Sequence, residues 1–167
     1  MIRRGRVEDV ATIAQLIREL AEYERLSQEV TFTEAELRLH LFGPTPRAEV
    51  LIAEDGGEVV GFALYLHNFS TFLGRPGIYL EDLFVRPAHR HKGHGQAMLH
   101  ELARIALERG CGRFEWAVLV WNKPAIDFYR SLGAVAMHDW TIFRVTGEAL
   151  QKLAGASGNS GQGAKER

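Results

Sequence analysis

A chain of 167 residues is long enough to bury a proper core and fits one domain. Its hydrophobic share of 46%, charged share of 25% and formal net charge of −1 are those of an ordinary globular protein, with no basic footprint that would make nucleic acid a partner. A single cysteine excludes an internal disulfide and fits a reducing compartment, and no bilayer-spanning apolar run or basic-then-apolar leader is read, so no membrane association and a cytoplasmic location are expected.

In chain order, Met1 to Arg6 holds a short first strand through Ile2. Val10, Ile13, Ala14, Ile17, Leu20 and Ala21 recur at three- and four-residue spacing, which predicts an amphipathic helix over residues 8–24 behind the favourable N-terminal charges Glu8 and Asp9. Thr33-Glu34-Ala35-Glu36 has the capping-box pattern of a second helix ending near Phe42-Gly43. The intervening acids Glu19, Glu22, Glu24 and Glu29 read as a solvated face, or, if they line a cleft, as an attractant for a cationic ligand. After Pro44 and Pro46, Glu49 to Glu54 and Glu58 to Asn68 read as a hairpin closed by Asp55-Gly56-Gly57. Phe69 to Gly77 reads as a loop.

Tyr79 to Gly110 organises the chain. Tyr79 to Val85 has strand chemistry, and Arg86-Pro87 stops it. Arg90-His91-Lys92-Gly93-His94-Gly95 then opens a long run of good helix formers closed by Gly110. A glycine turn between a strand and a helix N-terminus presents unpaired N–H groups at the positive end of the helix dipole, which suits a phosphate. Downstream, Arg113 to Leu119 alternates as a strand. Lys123 to Leu132 reads as a helix with Pro124 in its first turn and Gly133 at its end, and Val135–Met137 and Trp140–Val145 are expected to complete the sheet. Thr146 to Ala154 makes a short last helix, and residues 155–167 read as a flexible polar tail beyond a single domain of residues 1–154.

Arg90-His91-Lys92-Gly93-His94-Gly95 resembles the R-x-x-G-x-G/A acyl-CoA pyrophosphate loop of the GNAT N-acetyltransferases. Tyr79-Leu80-Glu81-Asp82-Leu83-Phe84-Val85, the run Trp121 to Tyr129 and the run Leu16 to Glu24 resemble the diamine/polyamine (spermidine/spermine) acetyltransferase branch. The resemblance covers residues 1–154. It implies an α/β (α+β) GNAT fold, with a mixed, mostly antiparallel sheet flanked by helices and splayed between the Tyr79 and Arg113 strands. It also implies acetyl-CoA as cosubstrate, a small cationic primary amine as acceptor, and a homodimer.

Acetyl transfer to an amine needs a base, because an alkylammonium has a pKa of about 10.4, and an acid for the departing thiolate. The resemblance makes Glu81 the base and Tyr129 the acid. Taken alone, Glu81 reads as a surface carboxylate and Tyr129 as a core aromatic. Asp82 falls on the opposite face from Glu81 if the strand is regular. By the same resemblance Leu83, Phe84 and Val85 offer backbone to the pantetheine arm, and Asn122 and Ala125 border it. The loop from His91 through Lys92, Gly93, His94 and Gly95 to Gln96 holds the diphosphate, with charge from Arg90 and Lys92. Tyr23, Glu24, Glu115, Trp116 and Ala117 are the acceptor-site positions. Val120 stands where the branch often carries an acid, and Asp139 is the nearest counterpart of a further family carboxylate, which leaves polyamine specificity open.

No metal is expected. His89, His91, His94 and His100 cluster in sequence, but no cysteine or paired carboxylate at ligand spacing completes a set. Cys111 reads as a small hydrophobe at a helix exit. A dinucleotide oxidoreductase needs a third glycine where Met98 stands. A non-catalytic acyl-CoA-binding module is opposed by the presence of both Glu81 and Tyr129. Transfer to a protein or peptide amine is the alternative acceptor reading.

Overall fold

The computed structural model describes residues 1–155; apart from Gly155, the expected polar tail lies outside the described residues. The chain divides into two compact units, Met1–Leu119 and the remainder from Val120.

In the first unit the elements are β1 (Ile2–Arg4), α1 (Val10–Tyr23), α2 (Glu34–Phe42), β2 (Glu49–Asp55), β3 (Glu58–Ser70), β4 (Arg75–Val85), α3 (His94–Glu108) and β5 (Phe114–Trp116). The sheet runs β1-β2-β3-β4-β5, antiparallel except for the parallel β4–β5 pair. Val50, Leu51, Ile52 and Ala53 are buried in succession, as in a strand covered on both faces. Ile13, Leu16 and Leu20 of α1 and Leu41 of α2 join Val50, Ile52, Phe62 and Phe84 in one apolar cluster. On the other face α3 packs across the strands with Met98, Leu99, Leu102 and Ile105 buried. The expected capping box is present in both directions: the Thr33 hydroxyl accepts from the Glu36 amide, and the Glu36 carboxylate accepts from the Thr33 amide.

Two strand expectations change in this unit. Phe69–Gly77 is not a loop: the β3–β4 ladder continues to Ser70↔Arg75, with Pro76 opposite Phe69. Pro76 lacks an amide donor, but its carbonyl accepts the Gly112 N–H at 2.9 Å, so the edge there is still engaged. The Arg113–Leu119 strand shortens to three residues, paired only from Ile78↔Phe114 to Leu80↔Trp116. Beyond that point β4 continues to Val85 with β3 as its only partner strand among the described residues.

The second unit holds α4 (Lys123–Ser131) and α5 (Gly147–Leu153). Val135–Met137 and Trp140–Val145, expected as strands, have no ladder partner among the described residues and are largely exposed. Alternating side chains make a strand possible, but only a paired edge makes one.

Candidate active site

The glycine turn is built by two left-handed residues. Gly93, the N-cap of α3, has φ of 84°, and His91 has φ of 61°, a conformation a non-glycine residue rarely adopts. Strain of this kind persists where surrounding contacts hold it and clusters at ligand clamps. The first intrahelical bond of α3 runs from Ala97 N–H to Gly93 C=O, so the amides of His94, Gly95 and Gln96 have no acceptor within the helix. A Cβ on Gly95 would meet only Val85, at 4.0 Å, which leaves room beside those amides. The turn is thus a concave set of donors at a helix N-terminus.

Its two cations are already engaged. The Arg90 Nε donates to the Val85 carbonyl at 2.9 Å, and its guanidinium lies 4.5 Å from the Tyr23 ring centroid and 5.8 Å from that of Phe84. Arg90 therefore ties the turn to the end of β4 and to the end of α1. Lys92 donates to Asp55 Oδ2 at 3.1 Å, and the Nδ1 of His89 lies 3.2 Å from the same oxygen. Lys92 and His89 hold the Asp55 carboxyl down at about 2.

Where β4 parts from β5, its ladder with β3 also breaks step. Leu64 pairs with Asp82 and Tyr65 with Leu80, so Glu81 is the extra residue of a β-bulge. The strand is not regular there, so the condition under which Asp82 falls on the opposite face from Glu81 is not met. Asp82 is half-buried while Glu81 is exposed, and Asp82 feels the charges of both Glu81 and Glu24. Burial first, then those two carboxylates, pushes its carboxyl up to about 7. Burial also raises Glu24.

Glu24 is placed by the end of α1. Arg25 follows in the left-handed conformation (φ 61°), and the Leu26 amide reaches back to the Ala21 carbonyl at 2.8 Å, the six-to-one bond of a Schellman ending. Glu24, Glu81 and Asp82 thus act on one another, and Tyr23, next to Glu24, carries the Arg90 guanidinium over its ring. A carboxyl poised near neutrality beside two other carboxylates can attract a cation and take up its proton.

The other predicted positions are placed as follows. Glu115 accepts from Asn68 Nδ2 at 3.1 Å and is ion-paired with Arg113, whose Nε lies 2.8 Å away, so its carboxylate is engaged on β5. The Trp116 ring is tilted against Phe114, centroids 4.9 Å apart, and Ala117 is exposed just past the strand. In the second unit Asn122 is the N-cap of α4, its Oδ1 accepting from the Ala125 amide at 3.4 Å, which joins two predicted positions in one turn. Tyr129 is half-buried on α4, its ring 5.6 Å from that of Phe128. Glu19, in the acidic run, accepts two bonds from Arg86 at 3.0 Å.

Two contributors escape a reading of the sequence. Asp82 is one; its signal is a pair of adjacent acids inside an otherwise apolar strand. Asp55 is the other, brought to the histidines from 34 residues earlier by the β2–β3 hairpin. Cys111 is half-buried with its Sγ 3.9 Å from His67 Nδ1. That nitrogen lies 3.0 Å from the Gly77 carbonyl and must be the protonated one, while Nε2 accepts from Arg109 at 2.9 Å, so His67 is not a base for the thiol.

No helix of the described residues is long and apolar enough to cross a membrane. The model of the acetyltransferase (GNAT) family matches residues 13–134. Thialysine N-epsilon-acetyltransferase of Bos taurus is 44% identical over 93% of this chain and 97% of its own length. Spermidine/spermine N(1)-acetyltransferase-like protein 1 of Homo sapiens is 34% identical over 92% of this chain and 23% of that longer protein. Among solved structures, an integron cassette protein from the mobile metagenome of V. cholerae superposes with a TM-score of 0.77 at 29% identity, covering 92% of this chain and 96% of that one. On the strength of the family match and these relatives, the chain belongs to the acetyltransferase (GNAT) family and is an N-acetyltransferase with the mixed α/β fold of that family.

Proposed function

We propose that the chain transfers the acetyl group of acetyl-CoA to the side-chain amine of a small lysine-like or diamine substrate. The observation that carries this reading is the gathering of Glu24, Glu81 and Asp82 where β4 loses its second partner strand. Three carboxylates offer a dication two anchors and a proton acceptor. The acceptor class is drawn from the relatives, among them the thialysine enzyme and L-ornithine N5-acetyltransferase of Arabidopsis thaliana, 43% identical over 57% of this chain and 42% of its own length.

In this reading the free edge of Leu83, Phe84 and Val85 takes the pantetheine amides as an added strand. The amides from His91 to Gln96 take the diphosphate, and Asn122 and Ala125 border the arm. Glu81 removes the ammonium proton directly or through water, with the Asp82 carboxyl next to it in the chain. The amine nitrogen attacks the thioester carbon and the C–N bond forms. As the C–S bond breaks the thiolate takes its proton from Tyr129, and the nitrogen's second proton leaves to water, from which the phenol is restored. Tyr23 and Glu24 meet the far end of the acceptor, with Trp116 and Ala117 further positions at the end of β5. Exposed Val135, Met137, Trp140, Ile142 and Phe143 give apolar surface for a homodimer, which sedimentation would check.

The test is a thiol-release assay with acetyl-CoA against thialysine, lysine, ornithine, diamines, spermidine and a lysine peptide. Turnover is expected to be highest with the small lysine-like amines. Tyr129→Phe should lower it about 100-fold with coenzyme affinity little changed. Absence of turnover with every small amine would overturn the proposal.

A further inference from the structure

We propose that Asp55, His89 and His94 form a binding site for a divalent transition-metal ion of the zinc class, at the root of the glycine turn. His89 Nδ1 lies 3.2 Å and His94 Nε2 3.5 Å from the same Asp55 oxygen, and the three ligand atoms are all within 4.8 Å of one another. A tetrahedral zinc ion with nitrogen and oxygen ligands at about 2.0–2.2 Å places neighbouring ligand atoms about 3.3–3.5 Å apart. Two of the three edges already have about that length, and a small rotation of one imidazole closes the third.

His94 Nε2 is shielded from solvent and has no hydrogen-bond partner: it is close to the carboxylate but not aligned with it. A buried nitrogen left so costs stability, and a metal ion would satisfy it. Two imidazoles and one carboxylate suit zinc, cobalt, nickel or copper; calcium and magnesium prefer oxygen alone. The ligands come from the end of β2, the tight turn Pro87–His89 and the first residue of α3, so three separate pieces of backbone fix the set. Lys92 is a built-in competitor, since its half-exposed ammonium lies 3.1 Å from the same carboxylate oxygen. An arriving ion must displace it, and removing Lys92 should therefore strengthen binding.

The ion would tether the β2–β3 hairpin to both flanks of the turn from His91 to Gly93. Where that turn holds the coenzyme diphosphate, metal occupancy would alter coenzyme affinity without any role in the chemical step; this consequence rests on the proposed function, whereas the site itself does not.

The experiment is titration of metal-free, full-length protein with Zn²⁺, followed by calorimetry and by competition with a chromophoric chelator in the absence of coenzyme. Substitution by Co²⁺ would then be read by its visible absorption. We expect one ion per chain and a tetrahedral cobalt spectrum. His89→Ala and His94→Ala should each weaken binding at least tenfold, His94→Gln should do the same with the fold checked by circular dichroism, and His91→Ala should leave it unchanged. Lys92→Ala should tighten binding severalfold. Absence of binding to the wild type, equal binding by the His94 variants, or weaker binding by Lys92→Ala would each overturn the site. None of these readouts depends on acetyl transfer, so failure here and failure of the proposed function are separable.

Discussion

Asp82→Asn should change how stability responds to pH, in a direction fixed by the position of the carboxyl. In the native state burial and the charges of Glu81 and Glu24 hold Asp82 at about 7, whereas an unfolded aspartate titrates near 3.9. The native chain therefore binds this proton more tightly than the unfolded chain, and its contribution to stability declines as pH rises from about 4 to about 7. Between pH 5 and pH 8 the two values give a loss of at most about 2.6 kcal/mol. Solvent access to a half-buried group brings that to about 1–2 kcal/mol. Asparagine cannot ionise, so the variant escapes this loss. Thermal melts of wild type and Asp82→Asn at half-unit steps from pH 5 to 8 should show the variant gaining on the wild type by about 2–8 °C across the range. Glu81→Gln, which removes one of the neighbouring charges, should flatten the wild-type dependence in part. A constant difference between the two proteins at all pH values, or a variant that falls behind at pH 8, would refute the reasoning.

Other substitutions probe the frame around the site. A Cβ at Gly61 would lie 2.5 Å from the Phe84 carbonyl oxygen and 3.2 Å from the Val85 Cα, so Gly61→Ala should cost about 1–3 kcal/mol and lower the melting temperature, because backbone rather than a side chain must move. Gly93→Ala imposes a side chain at φ of 84°, a cost of about 1–2 kcal/mol, and should weaken coenzyme binding in calorimetry more than it lowers stability in melts. Arg90→Lys keeps the charge but loses the Nε bond to Val85 and the planar contact with Tyr23, so the KM for the coenzyme should rise several-fold; an unchanged KM would show that charge alone matters at that position.

Much of the fold is legible in the sequence because its signals are local. The α1 stripe from Val10 to Ala21, the Thr33–Glu36 cap, the Gly56-Gly57 hairpin and the strand–turn–helix from Tyr79 to Gly110 each carry such a signal, and each forms as expected. What escapes depends on partners distant in sequence. Pro76 reads as a breaker, and only its place opposite Phe69 shows that the ladder survives it. Val135–Met137 and Trp140–Val145 alternate like strands, yet side-chain pattern carries no information on whether an edge is there to receive them. The bulge at Glu81 is a register event between β3 and β4. It interrupts the regular alternation that alone would assign Glu81 and Asp82 to opposite faces. The glycine turn is legible as a turn, but the engagement of Arg90 and Lys92 with Val85 and Asp55 is not, because both depend on how neighbouring strands end.

The shortness of the β2–β3 connection makes that hairpin a ruler. Asp55 pairs with Glu58 across only Gly56 and Gly57, both at positive φ, so the tip cannot lengthen without changing step. One inserted residue would displace the aspartate by about 3.4 Å, beyond the reach of its basic neighbours near the helix mouth. The posture of the glycine turn is in this way dictated from a bend distant in sequence, and transplanting that bend alone between related enzymes should carry the turn's behaviour with it.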